Sequence, residues 1–120
     1  MGDFSSKSFD KPDESRSFDH GRLDLVHLAG SSAGRATFEP GWRWSTSIKP
    51  IVGGDSCQNH HVGYVLAGSL HVVTDAGEEF DVGPDGVYEI LPGHDAWVIG
   101  DDVFQALEFH SKTAESYAKE

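Results

Sequence analysis

Short runs of β-favouring residues, each bounded by glycine, proline or aspartate, recur along the chain and constrain its fold more than any other feature. The runs cover residues 23–28, 35–38, 42–48, 62–67, 70–74, 79–82, 87–91, 96–99 and 103–109. None of them keeps the 3.6-residue apolar period of an amphipathic helix. Alternation of apolar and polar residues within runs bounded by turn residues is instead typical of strands. Fourteen glycines agree with this interpretation, because closing a small barrel requires many tight turns. The sequence therefore predicts an all-β fold, a small β-barrel.

The two ends of the chain differ in composition from this β-rich centre. Residues 1–21 are mostly polar, with isolated Phe4, Phe9 and Phe18, so they lack the material for a core of their own. They are predicted to form a flexible tail, with docking of the phenylalanines on the barrel or on a neighbouring subunit as the alternative. Residues 22–110 are predicted to form the barrel, and residues 111–120 a frayed C-terminal tail.

The charge balance excludes several classes of partner. Twenty aspartates and glutamates outnumber nine lysines and arginines, which gives a formal charge of −11. Nucleic acids and anionic membranes are bound mainly through clustered basic residues, and the sequence has no such cluster. The charge therefore argues against both as partners.

Cysteine usage and the terminal composition predict a cytoplasmic location. Cys57 is the single cysteine, which excludes an intrachain disulfide. The first residues lack the basic and then apolar pattern of a secretory signal, and no apolar run reaches the length of a membrane span. A reducing compartment is the expectation that follows.

Residues that bind metals concentrate in two segments, residues 55–74 and 91–97. Alternate residues of a strand share a face, so Asp55, Cys57, Asn59 and His61 are expected to point together. A thiol and an imidazole on an inward face are costly to bury without a partner, and together they suit zinc, iron, copper or nickel. His94, just after a Pro-Gly turn, is the predicted third ligand.

Other interpretations of these residues remain open. A lone cysteine is more often a small buried hydrophobe than a metal ligand. His60 and His71 have the opposite parity and are expected to be solvated, although a bulge near Cys57 would exchange His60 with His61. No partner is visible in the sequence for His20, His27 and His110.

Three tryptophans and two polar residues are candidates for the surroundings of the metal. Trp42 and Trp44 are two residues apart on a predicted strand and, with Trp97, are expected to line a ligand pocket. The alternative is a core or subunit-interface patch, where large aromatic residues are common. Tyr64 and Asp95 are candidate acid/base or orienting groups.

Residues 40–109 resemble the cupins, small jelly-roll β-barrels built from two sequence motifs. The first cupin motif runs His-x-His, three residues, Glu, six residues, Gly. With Gly68 as the closing glycine, His61 stands at the glutamate position, Cys57 at the second histidine and Asp55 at the first. The string Gly-Tyr-Val-Leu-Ala-Gly at residues 63–68 is similar to the usual hairpin of the family.

The second motif departs further from the cupin pattern. It runs Gly, five residues, Pro-x-Gly, two residues, His, three residues, Asn. If Gly93 is its second glycine, Leu91 stands at the proline position and Ala96 at the histidine position. His94 would then replace the missing histidine.

The resemblance implies one metal ion in the mouth of the barrel, with an open coordination position. A set of Cys57, His61 and His94 favours zinc, with iron as the alternative. Several strings are also similar to small bacterial cupins, and the family resemblance implies a homodimer. The predicted function is a metal-dependent enzyme acting on a small polar metabolite. The alternatives are a non-catalytic sensor that binds a small molecule or metal, and a structural barrel with an empty site.

Overall fold

Antiparallel strands are the main secondary structure of residues 6–109, the part of the chain that the computed structural model describes. In chain order the elements are β1 (Glu14–Phe18), β2 (Gly21–His27), β3 (Ser32–Phe38), α1 (Trp44–Ser47), α2 (Lys49–Val52), β4 (His61–Ala67), β5 (Leu70–Thr74), β6 (Glu79–Val82), β7 (Val87–Ile90), β8 (His94–Val98) and β9 (Phe104–Glu108). The prediction of an all-β fold is confirmed.

The strands form two sheets that enclose the core. One sheet has six strands in the order β1-β2-β3-β9-β4-β7, and the other has three in the order β6-β5-β8. Every pairing is antiparallel. Inward residues such as Val65, Val72 and Ala106 are fully buried. Two antiparallel sheets facing each other across one apolar core form the jelly-roll architecture.

Two glycine turns play different parts in this topology. Residues 75–77 join β5 to β6, which pair with each other, as expected for a hairpin. Gly68 also adopts a positive φ of 75°, but the strands on either side of it, β4 and β5, lie in different sheets. A Cβ at Gly68 would approach the backbone of Phe104 to 2.8 Å, so glycine lets the chain cross between sheets there.

The prediction of a flexible tail over residues 1–21 is wrong for its second half. Residues 14–18 form β1 and pair with β2. Phe18 packs against Phe38 with ring centroids 6.0 Å apart, and Phe9 lies under the guanidinium of Arg35 at 5.2 Å. Docking on the barrel, the alternative interpretation, thus describes Phe9 and Phe18. Phe4, His110 and the predicted C-terminal tail lie outside the described residues.

Residues 42–48 do not form the predicted strand. Their backbone turns into α1, followed directly by α2 with proline in its first turn. The Thr46 hydroxyl donates to the carbonyl of Arg43 at 3.3 Å, and the Ser45 amide donates to the Asp95 carboxylate at 3.2 Å. The Thr46 bond is local and of the kind that competes with strand pairing, whereas the contact with Asp95 joins residues 50 positions apart. Within residues 6–109, neither helix is long enough to cross a membrane.

Candidate metal centre

Cys57, His61 and His94 come together where one loop meets the beginnings of two strands. His61 is the first residue of β4 and His94 the first of β8. The Cys57 amide donates to the carbonyl of His94 at 2.7 Å, and the Gly93 amide donates back to the carbonyl of Cys57 at 2.7 Å. Gly93 has a φ of 93°, a conformation that glycine adopts without strain. This bridge fixes Cys57 beside His94.

The donor atoms of these three residues converge on one point. The Cys57 Sγ lies 3.4 Å from the Nε2 of His61, and the potential ligand atoms of all three residues are within 4.8 Å of one another. All three side chains are buried. Donors around a tetrahedral zinc ion lie roughly 3.3–3.8 Å apart, so a slight contraction of the set would accommodate the ion. The residues present therefore fit a metal site.

Each imidazole is held through its other nitrogen. The Nδ1 of His61 donates to Glu108 at 2.9 Å, and the Nδ1 of His94 donates to the carbonyl of Leu91 at 2.8 Å. The Nε2 of each ring is then the atom left for a metal. Second contacts of this kind fix the tautomer and orientation of histidines that bind metals.

Glu108 and Tyr88 form the layer behind His61. The Tyr88 hydroxyl donates to the second carboxylate oxygen of Glu108 at 2.7 Å, and the Glu108 side chain is only 12% exposed. Gly63 makes room for this contact, since a Cβ there would lie 2.5 Å from the Tyr88 hydroxyl oxygen, as well as 2.4 Å from the carbonyl oxygen of Leu107 on the neighbouring strand. The glycine within β4 is thus explained by the close approach of a tyrosine.

The charges of this group are strongly coupled. Burial opposes ionisation of the Cys57 thiol, yet hydrogen bonds from His61 and His94 lower its pKa to about 6. Burial likewise opposes a charged His61, but the Glu108 carboxylate and the Cys57 sulfur raise its pKa to about 10. Burial, followed by the charge of Glu108, raises the pKa of Tyr88 far above its ordinary value. Tyr88 therefore stays a hydrogen-bond donor.

The three candidate ligands lie on the wall of a cavity inside the barrel. The volume in which the centre of a water-sized molecule fits in this cavity is about 40 Å³. Its lining residues are Leu23, Ala36, Phe38, Trp42, Trp44, Cys57, His61, Leu70, Tyr88, Ile90, His94, Ala96, Phe104 and Glu108. One water position needs roughly 10–15 Å³ on this measure, so the space suits a ligand of few atoms.

The predicted pocket tryptophans divide into two groups. Trp42 and Trp44 are buried and line the cavity, although Trp44 does so from a helix. Trp97 belongs to the outward face of β8, where the guanidinium of Arg43 lies 4.3 Å from its ring centroid and the ring of His71 lies 4.8 Å away. Its assignment to the pocket is corrected, because strand alternation turns it away from Ala96.

The predicted acid/base residues also lie outside the cavity. The Tyr64 hydroxyl donates to Asp85 in the turn before β7, and the pKa of Tyr64 is raised by that contact. Asp95 accepts hydrogen bonds from the Ser45 amide and from Arg43. Both residues have the outward parity of their strands, so neither reaches the candidate metal ligands.

The remaining candidates near the first motif face outward. His60 is 41% exposed and lies 2.8 Å from Glu89, which places His61, and not His60, in the centre. Asp55 is exposed. Residues 55–60 contain no strand, so Cys57 and His61 meet through a loop and not through strand alternation.

The sequence interpretation missed Glu108 and Tyr88. Glu108 follows Phe104 and Ala106 at the inward parity of β9, and Tyr88 shares an inward parity with Ile90. A glutamate at an inward position of an apolar alternation was the available signal, since such a residue needs a partner when buried.

Comparison with solved structures finds proteins of similar fold. The Cnp3 cupin domain of Schizosaccharomyces pombe has a TM-score of 0.58 and 19% identity, over 82% of this chain and 67% of that one. A cupin superfamily protein from Desulfitobacterium hafniense has a TM-score of 0.51 and 13% identity, over 84% and 80%. Oxalate decarboxylase of Lactobacillus farciminis, in a formate complex, has a TM-score of 0.58 and 18% identity over 87% of this chain.

These similarities concern the fold, because all three identities are low. The chain spans only 32% of the oxalate decarboxylase chain. No protein-family model matches the sequence, and no curated protein matches it significantly. The strand order, the two facing sheets and the solved neighbours agree with the resemblance of residues 40–109, and the chain therefore has the cupin fold.

Proposed function

We propose that this chain binds one divalent metal ion through Cys57, His61 and His94 and is a metal-dependent enzyme acting on a small polar metabolite. The observation that supports this most is the convergence of three buried donor atoms within 4.8 Å of one another. A hydrogen bond from Nδ1 leaves the Nε2 of each histidine as the ligand atom.

Zinc is the metal that this donor set favours, with iron as the alternative. One thiolate and two imidazoles form a ligand set typical of catalytic zinc sites, which keep a further position for water or substrate. When bound, such an ion would supply Lewis acidity that polarises an oxygen of the substrate.

The chain's own residues would position the reaction. Glu108 holds the ring of His61, and Tyr88 in turn donates to Glu108. The enclosing aromatic and aliphatic side chains limit access of bulk water, which strengthens electrostatic interactions inside the cavity. Titratable groups that converge beside a metal ligand set are typical of sites that carry out chemistry.

The second candidate is a binding or sensor module with the same metal. It is favoured by the composition of the cavity, since the lining residues other than the five titratable ones are aliphatic or aromatic. The location of Tyr64 and Asp95 outside the cavity also removes two of the expected acid/base groups.

Elemental analysis of the chain, purified without a histidine tag or chelator, tests the metal. We expect about one zinc or iron ion per chain. A protein that is metal-free and takes up no added zinc, iron, nickel or manganese would contradict both metal hypotheses and favour a structural barrel.

An NMR screen of the metal-loaded protein against small aldehydes, ketones, alcohols and amides separates the enzyme from the sensor. Conversion that stops on removal of the metal supports the enzyme. Binding without conversion of any compound supports the sensor.

A homodimer in the cytoplasm is our proposal for the state of the protein. Val87 and Leu91, near the β7 edge of the six-stranded sheet, are 78% and 63% exposed, and exposed apolar surface is often covered by a partner. Sedimentation at several concentrations tests the dimer, and a purely monomeric profile would contradict it.

A further inference from the structure

The indole of Trp42 carries a buried hydrogen-bond donor without an acceptor. Trp42 is 2% exposed, and within residues 6–109 its Nε1 has no hydrogen-bond partner. Its ring is stacked on Phe38 with centroids 3.9 Å apart and planes 4° apart, which restricts its freedom to turn towards another acceptor. Buried polar groups in folded proteins are almost always paired, and an indole N–H can only donate.

Trp42 lines the same cavity as the candidate metal ligands. Because Trp42 forms part of the cavity wall, a molecule held there is a candidate for the missing acceptor. Most of the remaining lining is carbon, and the polar atoms of Tyr88 and Glu108 are already hydrogen-bonded to each other or to His61. The N–H of Trp42 and the metal position are therefore the two features that we expect to orient a polar ligand.

The charges around the cavity favour a neutral ligand. Among the residues that the structure describes, no lysine or arginine lines it, whereas the carboxylate of Glu108 does. A cysteine that binds a metal does so as a thiolate, so Cys57 and Glu108 together balance the two charges of a divalent ion. An anion bound there would add a charge with no partner in an apolar environment, which is costly.

The space restricts the size of the ligand. About 40 Å³ for the centres of water-sized molecules corresponds to only a few water positions. Small aldehydes, ketones and amides combine this size with a neutral oxygen that accepts hydrogen bonds.

We propose that the site is selective for a small uncharged carbonyl or amide compound, whose oxygen accepts a hydrogen bond from the Nε1–H of Trp42. This inference rests on the proposed function, because it names the substrate class of the same cavity. Trp42 would then select the substrate through its N–H, in addition to forming part of the aromatic wall.

Acetamide and acetate provide a matched pair of probes, because they have nearly the same shape and differ in charge. Their affinities are measured by calorimetric or NMR titration of the zinc-loaded protein, for the wild type, Trp42→Phe and Trp97→Phe. We expect acetamide to bind more tightly than acetate, and Trp42→Phe to weaken acetamide binding by roughly three- to tenfold. Trp97→Phe, which removes an indole on the outward face, should leave the affinity unchanged.

A wild-type measurement makes the test independent of the folding of the variants. In nitrogen-labelled protein, acetamide should move the indole N–H proton of Trp42 downfield and slow its exchange with solvent, as expected for a new hydrogen bond. Tighter binding of acetate would overturn the inference, as would binding of neither compound. Equal acetamide affinity in the wild type and Trp42→Phe would do the same, and would indicate that a water molecule pairs with Nε1.

Failure of the metal hypothesis gives a different result. Metal content is measured on the same samples, so a chain that takes up none of zinc, iron, nickel and manganese contradicts the proposed function. The titrations and the Trp42 signal are then recorded on the metal-free protein, where the preference for acetamide and the effect of Trp42→Phe still confirm or overturn the selectivity.

Discussion

His61 and His71 both contact carboxylates, but they lie on opposite sides of the barrel wall and use their nitrogens differently. His61 donates one nitrogen to Glu108 at 2.9 Å and keeps the other 3.4 Å from the sulfur of Cys57. His71 has both nitrogens in contact with carboxylates, Nδ1 with Asp81 at 2.5 Å and Nε2 with Glu79 at 2.8 Å. The outer histidine thus has no nitrogen left for a metal.

Acidic neighbours alone therefore do not make a histidine a metal ligand. A carboxylate on one nitrogen prepares the other as a ligand atom, whereas carboxylates on both nitrogens form a surface ion-pair network. Burial reinforces this contrast, because the side chain of His61 is 7% exposed and that of His71 is 22% exposed. Substitutions on the inner and outer faces should therefore differ in their effect on metal binding.

Removing one inner ligand should have the largest effect. Cys57→Ser and His94→Ala are each expected to reduce the zinc content from about one ion per chain to a small fraction, because a site with two protein ligands holds zinc weakly. His71→Ala should leave the zinc content unchanged. Metal analysis of the three purified variants is the measurement, and equal losses in all three would contradict the contrast between the faces.

Removing the charge of Glu108, the carboxylate behind His61, should have the second-largest effect on zinc binding. Glu108→Gln keeps the shape but removes the charge that orients the imidazole, and we expect zinc affinity to fall by roughly 10–100-fold. Glu79→Gln makes the same change beside His71 and should leave the affinity unaltered. Competition with a chromophoric chelator measures both, and similar affinities for the two variants would show that Glu108 has no part in the centre.

The sequence predicted most of the barrel, because strand alternation and glycine turns are local signals. Strands β5 and β6 have the predicted bounds. The strand that the sequence did not predict is β1. Its residues alternate between half-buried and exposed positions, so its polar composition resembles that of a tail. In the first helix after Trp42, α1, the Ser45 amide donates a hydrogen bond to Asp95, 50 residues apart in the chain, and no local pattern reveals such a contact.

The sequence also predicted which three residues converge, but not how. Alternation on a strand suggested that Cys57 and His61 share a face, whereas the structure joins Cys57 to His94 through a backbone bridge. Glu108 was missed because its contact with His61 joins residues 47 positions apart. Pairings between β4 and β9 depend on the order of strands in the sheet, which the sequence pattern left open.

Proton release should distinguish the two histidines further. Burial opposes a charged His61, but Glu108 is the main cause that raises the pKa of His61 to about 10. In the metal-free protein at neutral pH, both nitrogens of the His61 ring are therefore expected to carry a proton. Zinc must displace the Nε2 proton, and we expect about one proton from His61 to be released on binding. Zinc affinity should accordingly fall as the pH falls.

Calorimetric titration in buffers of different ionisation enthalpy measures that release. His71→Gln should not change the number of protons, although the pKa of His71 is also raised, because its nitrogens stay with Asp81 and Glu79. Glu108→Gln should reduce the number, since the charge that retains the proton on His61 is gone. Unchanged proton release in Glu108→Gln would contradict the assignment of the proton to His61.

Removing the contacts of His71 with Asp81 and Glu79 should have the smallest effect, which is visible only in the pH dependence of stability. Hydrogen bonds that His71 donates to Asp81 and then to Glu79 raise its pKa above the ordinary value of 6.5. The stabilising contribution of His71 is therefore fully present below that pH and is lost as the pH rises through the raised pKa. The melting temperature of His71→Gln should therefore lie slightly below that of the wild type in weakly acidic buffer and converge with it in alkaline buffer. The difference should be small because exposed ion pairs contribute little, and it should be the same with and without zinc. A difference that grows on adding zinc would mean that His71 is coupled to the centre, and the separation between the inner and outer faces would then be wrong.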